Sequence, residues 1–258
     1  MPDRDFESLF QKGYFIRRNV FTSAFCESLR SKMDLSWKRQ LESFGADLLS
    51  RMGDYGCLRT MMAEDPYFFE LITHSEILEV VARVIGETAI LHLQNGLIVF
   101  PQVSHHQGRF HKDFAKDFLS TQPLSLNAFL AVDDFTEESG ATWVVPRSHL
   151  SAETPSEEFL RANEVQLRCP AGSIIFFDSN LWHRAGTNLG PTIRRGINHQ
   201  YTRPFIKQQI DYPALLKGKV EMESKLAQVL GFWSVPPKSV EEFRVNDPSQ
   251  RTYRAGQG

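Results

Sequence analysis

The sequence has few cysteines, no excess of charge of either sign and no long apolar segment. Its 258 residues include three cysteines, Cys26, Cys57 and Cys169, and none belongs to a CxxC pair. Widely separated cysteines in odd number predict neither a disulfide framework nor a thiolate zinc site. The formal net charge of −2 gives no reason to expect a nucleic acid as partner.

Targeting and membrane signals are also missing from the sequence. The opening MPDRDFESLF is acidic and lacks the apolar centre of a signal peptide. No apolar run has the length that crosses a bilayer. We therefore expect a cytoplasmic protein, a monomer or homodimer, that acts on a small molecule without membrane or nucleic-acid partners.

What the sequence does contain is phenylalanine, with 20 residues, and a change of pattern along the chain. Helical spacing follows the N-cap site at Thr22 and again follows Ser75. After Gly86, short segments rich in β-branched and aromatic residues predict strands at 89–100, 125–132, 142–145, 173–177 and 194–202. Helices followed by strands, without βαβ alternation, predict an antiparallel sandwich or barrel with a helical flank.

We expect one domain over residues 1–258, mainly β with flanking helices. Its predicted parts are an N-terminal helical flank over 1–88, a β core over 89–205 and a C-terminal helical tail over 206–258. The last residues, 247–258, are expected to fray.

The segment GRFHKDF (108–114) places a histidine and an aspartate two residues apart. On a strand His111 and Asp113 share a face, where an imidazole and a carboxylate can bind one metal ion. By itself the pair also fits a solvated strand end. A third ligand is offered by His183, just past a predicted buried strand in AGSIIFFDSNLWHRAGTN (171–188). Two histidines and one carboxylate form the facial triad of non-haem Fe(II) oxygenases, which leaves coordination positions open.

Arg194 begins the last predicted strand, eleven residues after His183. An open iron site needs a co-substrate, and 2-oxoglutarate chelates through its keto acid. Its distal carboxylate then needs a bidentate cation, for which arginine is best suited. Alternatively, Arg194 and Arg195 are a solvated basic pair, although neighbours on a strand face opposite ways and only one can point inward.

At this point the chain resembles the phytanoyl-CoA dioxygenase family of Fe(II)/2-oxoglutarate-dependent oxygenases. The resemblance rests on KGYFIRRNVFTSAFCESLRSKM, FHKDF, AVDDFTEESGATWVVPRSHL and AGSIIFFDSNLWHRAGTN, in that order. It implies a double-stranded β-helix, a cupin-like jelly-roll barrel. It also implies site residues: His111, Asp113 and His183 for iron, Arg194 for the distal carboxylate of 2-oxoglutarate, and Gln94 and Asn127 as further contacts to 2-oxoglutarate.

The resemblance implies a reaction with O2 that hydroxylates a C–H bond and releases succinate and CO2. Related halogenases lack the carboxylate ligand, so the presence of Asp113 favours oxygenation. For a small polar or anionic substrate we expect contacts from Arg109, Phe114, Trp182 and Arg184. The loop around Arg109 carries charges of both signs and is more typical of a solvated surface. Two alternatives stay open: a cupin-fold metalloenzyme that does not use 2-oxoglutarate, and a non-catalytic binding module.

Overall fold

The computed structural model describes residues 2–103, 105–114 and 118–245, together with 254 and 256. The helices are α1 (Pro2–Lys12), α2 (Ser23–Phe44), α3 (Ala46–Met52), α4 (Phe69–Ile72), α5 (Ser75–Val84), α6 (Glu157–Asn163), α7 (Tyr212–Leu215), α8 (Lys225–Val229) and α9 (Val240–Val245). The strands are β1 (Tyr14–Arg17), β2 (Cys57–Arg59), β3 (Ile90–Val99), β4 (Ser125–Ala131), β5 (Trp143–Val144), β6 (Val165–Gln166), β7 (Ile174–Asp178), β8 (His183–Arg184) and β9 (Arg194–Thr202). The predicted frayed end, 247–258, lies outside the described residues except for 254 and 256.

Two antiparallel sheets form the centre of the molecule. The large sheet has the strand order β1-β7-β4-β9-β3-β2, and the small sheet has the order β6-β5-β8. This is the predicted mainly β fold with flanking helices, in its jelly-roll form. The sheets are not closed into a barrel, which corrects that part of the expectation. Strands β5, β6 and β8 have only two residues each, too few to pair around a closed ring.

The large sheet buries one face against the helices. Alternate residues of its strands, among them Leu91, Ala128, Ile197 and Tyr201, pack with residues of the helical segments into one apolar cluster. The helix after Thr22 begins as predicted, because the Thr22 side chain accepts a hydrogen bond from the Phe25 amide. The second cluster, between the two sheets, is smaller and includes Phe129 and Phe177. No helix in the described part of the chain is long and apolar enough to cross a membrane.

Candidate active site

The two histidines of the predicted triad lie side by side at the edge of the small sheet. His111 and His183 form an antiparallel bridge in which each backbone N–H donates to the other's carbonyl oxygen at 3.0 Å. Their ring centroids are 4.2 Å apart. Residues 72 positions apart in the sequence are thereby held in register by backbone hydrogen bonds.

Each imidazole is oriented by a hydrogen bond to a backbone carbonyl. Nδ1 of His111 lies 2.8 Å from the Arg109 oxygen, and Nδ1 of His183 lies 2.9 Å from the Leu181 oxygen. A carbonyl only accepts, so each Nδ1 carries the proton and donates. The lone pair is therefore on Nε2 in both rings, as a metal ligand requires.

The Asp113 carboxylate faces both Nε2 atoms. Its Oδ1 lies 3.5 Å from Nε2 of His111, and its Oδ2 lies 3.6 Å from Nε2 of His183. The Asp113 amide donates to the Ser179 carbonyl at 3.0 Å, which holds this segment against the end of β7. One ligand atom from each residue lies within 4.8 Å of the other two, an arrangement that can hold a metal ion. The donor set fits Fe(II), because it leaves positions for other ligands.

Arg194 lies in the same cavity as Asp113 and His183, and it is 1% exposed. Its Nη2 donates to the Gly140 carbonyl at 2.9 Å, and its guanidinium lies 4.3 Å from the centre of the Phe135 ring. Its Nε and Nη1 have no hydrogen-bond partner among the described residues. Burial lowers the pKa of Arg194 to about 10. A buried guanidinium with two unused donors is suited to a carboxylate ligand.

Arg195 points to the other side of β9, as strand alternation predicts. It forms ion pairs with Asp34 at 2.8 Å and Asp133 at 2.9 Å. The two adjacent arginines therefore have different environments, and Arg194 is the one that faces the space between the sheets.

The Gly140 carbonyl reaches Arg194 because two loops come close together at Gly140 and Gly186, where neither residue has a side chain. Gly140 has φ +76°, and a Cβ there would lie 2.7 Å from the Gly186 carbonyl oxygen. Any other residue would push the 136–140 turn away from the segment after β8. The glycine therefore allows this turn to supply an acceptor for the buried arginine.

The two residues expected to contact 2-oxoglutarate have other surroundings. Gln94 lies on the helix-facing side of β3, where it accepts from the Met62 amide at 2.9 Å and lies 3.1 Å from Nε2 of His199. It does not line the cavity, because strand alternation turns it away. Asn127 does face the site, but its Nδ2 donates to Oδ2 of Asp113 at 2.7 Å.

Three of the four expected substrate contacts point away from the cavity. Trp182 and Arg184 flank His183, so alternation places both on the opposite side. Trp182 packs with Val145 and Leu160, and Arg184 forms two 2.7 Å contacts with Glu164. Phe114 lines a separate groove of mixed polar and apolar residues. Phe114, Trp182 and Arg184 thus do not line the inner cavity, and their contact with the substrate stays a prediction from the sequence.

Arg109 has the expected location. It lines an entrance pocket of about 700 Å³ that adjoins the inner cavity through the shared residues His105 and Ala185. The other polar residues of the pocket are Ser50, Tyr55, Gln102 and Thr187. In the described part of the chain, the residues lining this pocket include no carboxylate.

Several polar residues of the site were not anticipated from the sequence. Asn198, Thr142 and Gln107 line the inner cavity, and Ser125, Ser179 and Gln200 lie next to Asn127. Strand alternation offered a signal for part of this set. Asn198 and Gln200 have the same parity as Arg194 on β9, so they were bound to share its face.

The chain matches the family model described as phytanoyl-CoA dioxygenase (PhyH) over residues 10–196. The uncharacterized protein Rv1501 of Mycobacterium tuberculosis is 43% identical over 253 residues, which cover 95% of this chain and 92% of that protein. The dioxygenase andF of Emericella variicolor is 29% identical over 180 residues, covering 64% of this chain and 61% of that protein.

Among solved structures, HygX from Streptomyces hygroscopicus with nickel and 2-oxoglutarate bound is similar, with a TM-score of 0.63. It is 17% identical, and the match covers 83% of this chain and 93% of that one, so the likeness concerns the fold. The match of the family model spans most of the chain and includes the His111–Asp113 pair, His183 and Arg194. The chain thus belongs to the phytanoyl-CoA dioxygenase family and is an Fe(II)- and 2-oxoglutarate-dependent dioxygenase.

Proposed function

We propose that this protein uses Fe(II) and 2-oxoglutarate to hydroxylate a C–H bond of a small polar or anionic metabolite. The observation that carries the proposal is the shared cavity of Asp113, His183 and Arg194. It combines a metal-binding set with a buried guanidinium that has two donors to spare. A cupin-fold metalloenzyme without 2-oxoglutarate, or a binding module, would have no use for that guanidinium.

In this proposal His111, Asp113 and His183 bind the iron, and Arg194 binds the distal carboxylate of 2-oxoglutarate. Bound together, iron and 2-oxoglutarate supply the activation of O2 that oxidises the substrate, with release of succinate and CO2. The two imidazoles keep their metal-facing nitrogens in place through the carbonyl oxygens of Arg109 and Leu181. The apolar side chains of the inner cavity, among them Leu97 and Phe129, exclude water from the reacting groups.

The inner cavity has a volume of about 50 Å³. The neighbouring entrance pocket, of about 700 Å³, has the size usual for small-molecule sites. We assign the substrate to this pocket.

The substrate class follows from the lining of the entrance pocket. Among the described residues that line it, Arg109 is the one arginine and is exposed, and the remaining polar residues are neutral hydrogen-bonding groups or His105. A cation without a lining carboxylate favours an anionic group on the substrate. Hydroxylation as the outcome, one domain over residues 1–258, location in the cytoplasm and a monomeric or homodimeric state remain predictions from the sequence.

The first test needs no substrate. The apoprotein is mixed with Fe(II) without oxygen, then with 2-oxoglutarate, and the weak visible charge-transfer band of the chelate is recorded. We expect the band in the wild type, its loss in His183→Ala and its weakening in Arg194→Ala. Arg195→Ala is the matched control and keeps the band, since Arg195 points out of the cavity. Iron binding without a band would favour the cupin-fold alternative.

The substrate proposal is tested by screening anionic and neutral metabolites for succinate release. For an anionic substrate we expect Arg109→Gln to raise KM about 10-fold or more with a smaller change in kcat, because a charged contact at the entrance is lost. Turnover of neutral compounds alone, unaffected by Arg109→Gln, would contradict the anionic class.

A further inference from the structure

A chain of four uncharged polar side chains lies beneath Asp113. Ser125, Asn127, Ser179 and Gln200 are each at most 2% exposed. They occupy the face of the large sheet that also carries the apolar residues Phe129 and Phe177. Burying polar side chains in an apolar layer costs free energy unless every group finds a partner. A cluster of this kind therefore calls for an explanation beyond stability.

The hydrogen bonds among these four side chains run in one direction, from Gln200 towards Asp113. Nε2 of Gln200 donates to the Ser125 hydroxyl at 2.8 Å, and the Ser125 and Ser179 hydroxyls are 2.7 Å apart. The Ser179 hydroxyl donates to Oδ1 of Asn127. A carboxylate can only accept, so the Asn127 amide must turn its nitrogen to Asp113, and it does so at 2.7 Å.

We propose that Asn127 is a positioning residue that fixes the orientation of Asp113 as a metal ligand. By binding Oδ2, Asn127 selects Oδ1 as the oxygen that remains for the metal. This inference rests on the proposed function, in which Asp113 binds the metal. It differs from the role implied by resemblance, in which Asn127 contacts 2-oxoglutarate.

The surroundings of Asn127 support this role. Its Nδ2 has two acceptors, Oδ2 of Asp113 at 2.7 Å and Oδ1 of Asn198 at 3.1 Å. With Oδ1 taken by Ser179, the amide cannot flip without losing all three contacts. Asp113 is further held by the Gln200 amide, which donates to its backbone carbonyl at 3.3 Å. A carboxylate held this way meets an incoming ion in a single orientation.

The test measures Co(II) binding by calorimetry without 2-oxoglutarate, together with the visible spectrum of the Co(II) protein. Outer partners of metal ligands typically contribute about 10- to 100-fold to metal affinity. We expect Asn127→Leu, of nearly the same shape, to weaken Co(II) binding by about that factor. We also expect its Co(II) spectrum to change, because the freed carboxylate can offer both oxygens.

Gln94→Leu is the matched control, since Gln94 is a buried amide on the opposite face of the same sheet. Its Co(II) affinity and spectrum should equal those of the wild type. Ser179→Ala provides a second variant if Asn127→Leu fails to fold. It removes the hydroxyl that orients Asn127 and should weaken Co(II) binding in the same direction by a smaller factor.

The outcomes separate this inference from the proposed function. A wild type that binds no Co(II), and gives no band with Fe(II) and 2-oxoglutarate, would refute the function. A wild type that binds Co(II), with Asn127→Leu and Ser179→Ala unchanged in affinity and spectrum, would overturn the positioning role alone. Weaker 2-oxoglutarate binding by Asn127→Leu at unchanged Co(II) affinity would also overturn it, in favour of direct contact with the co-substrate.

Discussion

The two faces of the large sheet are built from the same strands and have opposite characters. Towards the helices, alternate residues such as Leu91, Ile197 and Tyr201 belong to the main apolar cluster. Towards the small sheet, the intervening positions include Asn127, Arg194 and Asn198, which line the site or contact it. The first face is mostly closed by apolar packing, whereas on the second two donors of Arg194 have no acceptor among the described residues.

Neighbouring residues on the same strand therefore serve different purposes: one stabilises the fold, and the next belongs to the site. Packing on the helix side offsets the cost of buried polar and charged groups on the site side. A buried guanidinium without a carboxylate partner is unfavourable for the unbound protein, and its replacement by an apolar residue is often neutral or stabilising. Substitutions on the two faces should therefore have opposite signatures in binding and in unfolding experiments.

The largest effect is expected for Arg194→Met. We expect 2-oxoglutarate affinity to fall about 100- to 1000-fold, because a desolvated charge pair is lost. The apoprotein should unfold at the same or a higher urea concentration than the wild type, since a buried cation has been removed. Calorimetric titration and urea unfolding monitored by circular dichroism measure the two quantities. A fall in both would break the proposed division between the faces.

Arg184→Met provides the matched comparison, because Arg184 is a buried arginine that has a carboxylate partner. Its loss removes two 2.7 Å contacts from the largely buried Glu164, which keeps only the longer contact of 3.9 Å with Arg161 among the described residues. We expect a destabilisation of about 3 kcal/mol, near the lower end for a broken buried pair. The affinity of the folded protein for 2-oxoglutarate should stay the same. A stabilised Arg184→Met would show that its ion pair contributes nothing.

On the helix face, Leu91→Ala should act on stability alone. Leu91 is fully buried, and replacing such a leucine by alanine costs about 3 kcal/mol through lost burial and the resulting cavity. We expect the urea midpoint to fall while Co(II) and 2-oxoglutarate affinities, measured where the variant is folded, do not change. Weaker co-substrate binding would mean that the helix-facing packing also shapes the site.

The smallest effect concerns His199, a polar exception on the helix face. Burial lowers its pKa from 6.5 to about 3, so the folded protein keeps this imidazole neutral. Below pH 6.5 the unfolded chain binds a proton that the folded chain does not. Stability is therefore lost as the pH falls from about 6.5 towards 3, by up to about 1.4 kcal/mol per pH unit.

Urea unfolding at pH 7, 6 and 5 tests this effect. The non-titrating variant His199→Gln should lose less stability than the wild type between pH 6 and pH 5. At pH 7 the comparison gives only the packing cost of the substitution. Equal losses for both proteins would assign the acid sensitivity to other groups.

The long strands were predictable from sequence because their apolar runs are bounded by clear turns. The predicted strand 194–202 has the same bounds in the structure, and the predicted strand 89–100 is observed as Ile90–Val99. The two-residue strands β5, β6 and β8 form through tertiary pairing, so their extent has no local signal. The C-terminal segment predicted as helical, 206–258, contains in its described part three short helices, Tyr212–Leu215, Lys225–Val229 and Val240–Val245, since packing rather than propensity determines such ends.

Strand alternation predicted some side-chain directions in the site, and for other residues the rule was not applied. It correctly predicted that only one of Arg194 and Arg195 turns inward. Lys112, between His111 and Asp113, follows the same rule, since it does not line the cavity and donates to the Ser151 carbonyl. The same rule places Trp182 and Arg184 outside the cavity, because both are direct neighbours of His183. It does the same for Phe114, which is next to Asp113. For Gln94 the rule is not enough. Alternation predicts that Gln94 and Asn95 face opposite sides of the sheet, but which side is the cavity depends on the face that the helices cover.

The entrance pocket and the inner cavity are made of different kinds of segment. Arg194, proposed to bind 2-oxoglutarate, and Asn127, proposed to orient Asp113, lie on long strands in the interior. The entrance residues Ser50, Gln102, Arg109 and Thr187 lie near the end of a short helix or in loops. Loops accept insertions and substitutions that strands cannot. Relatives can thus acquire new substrates by replacing the entrance segments while the oxidation chemistry is inherited intact, and directed evolution of this enzyme should begin there.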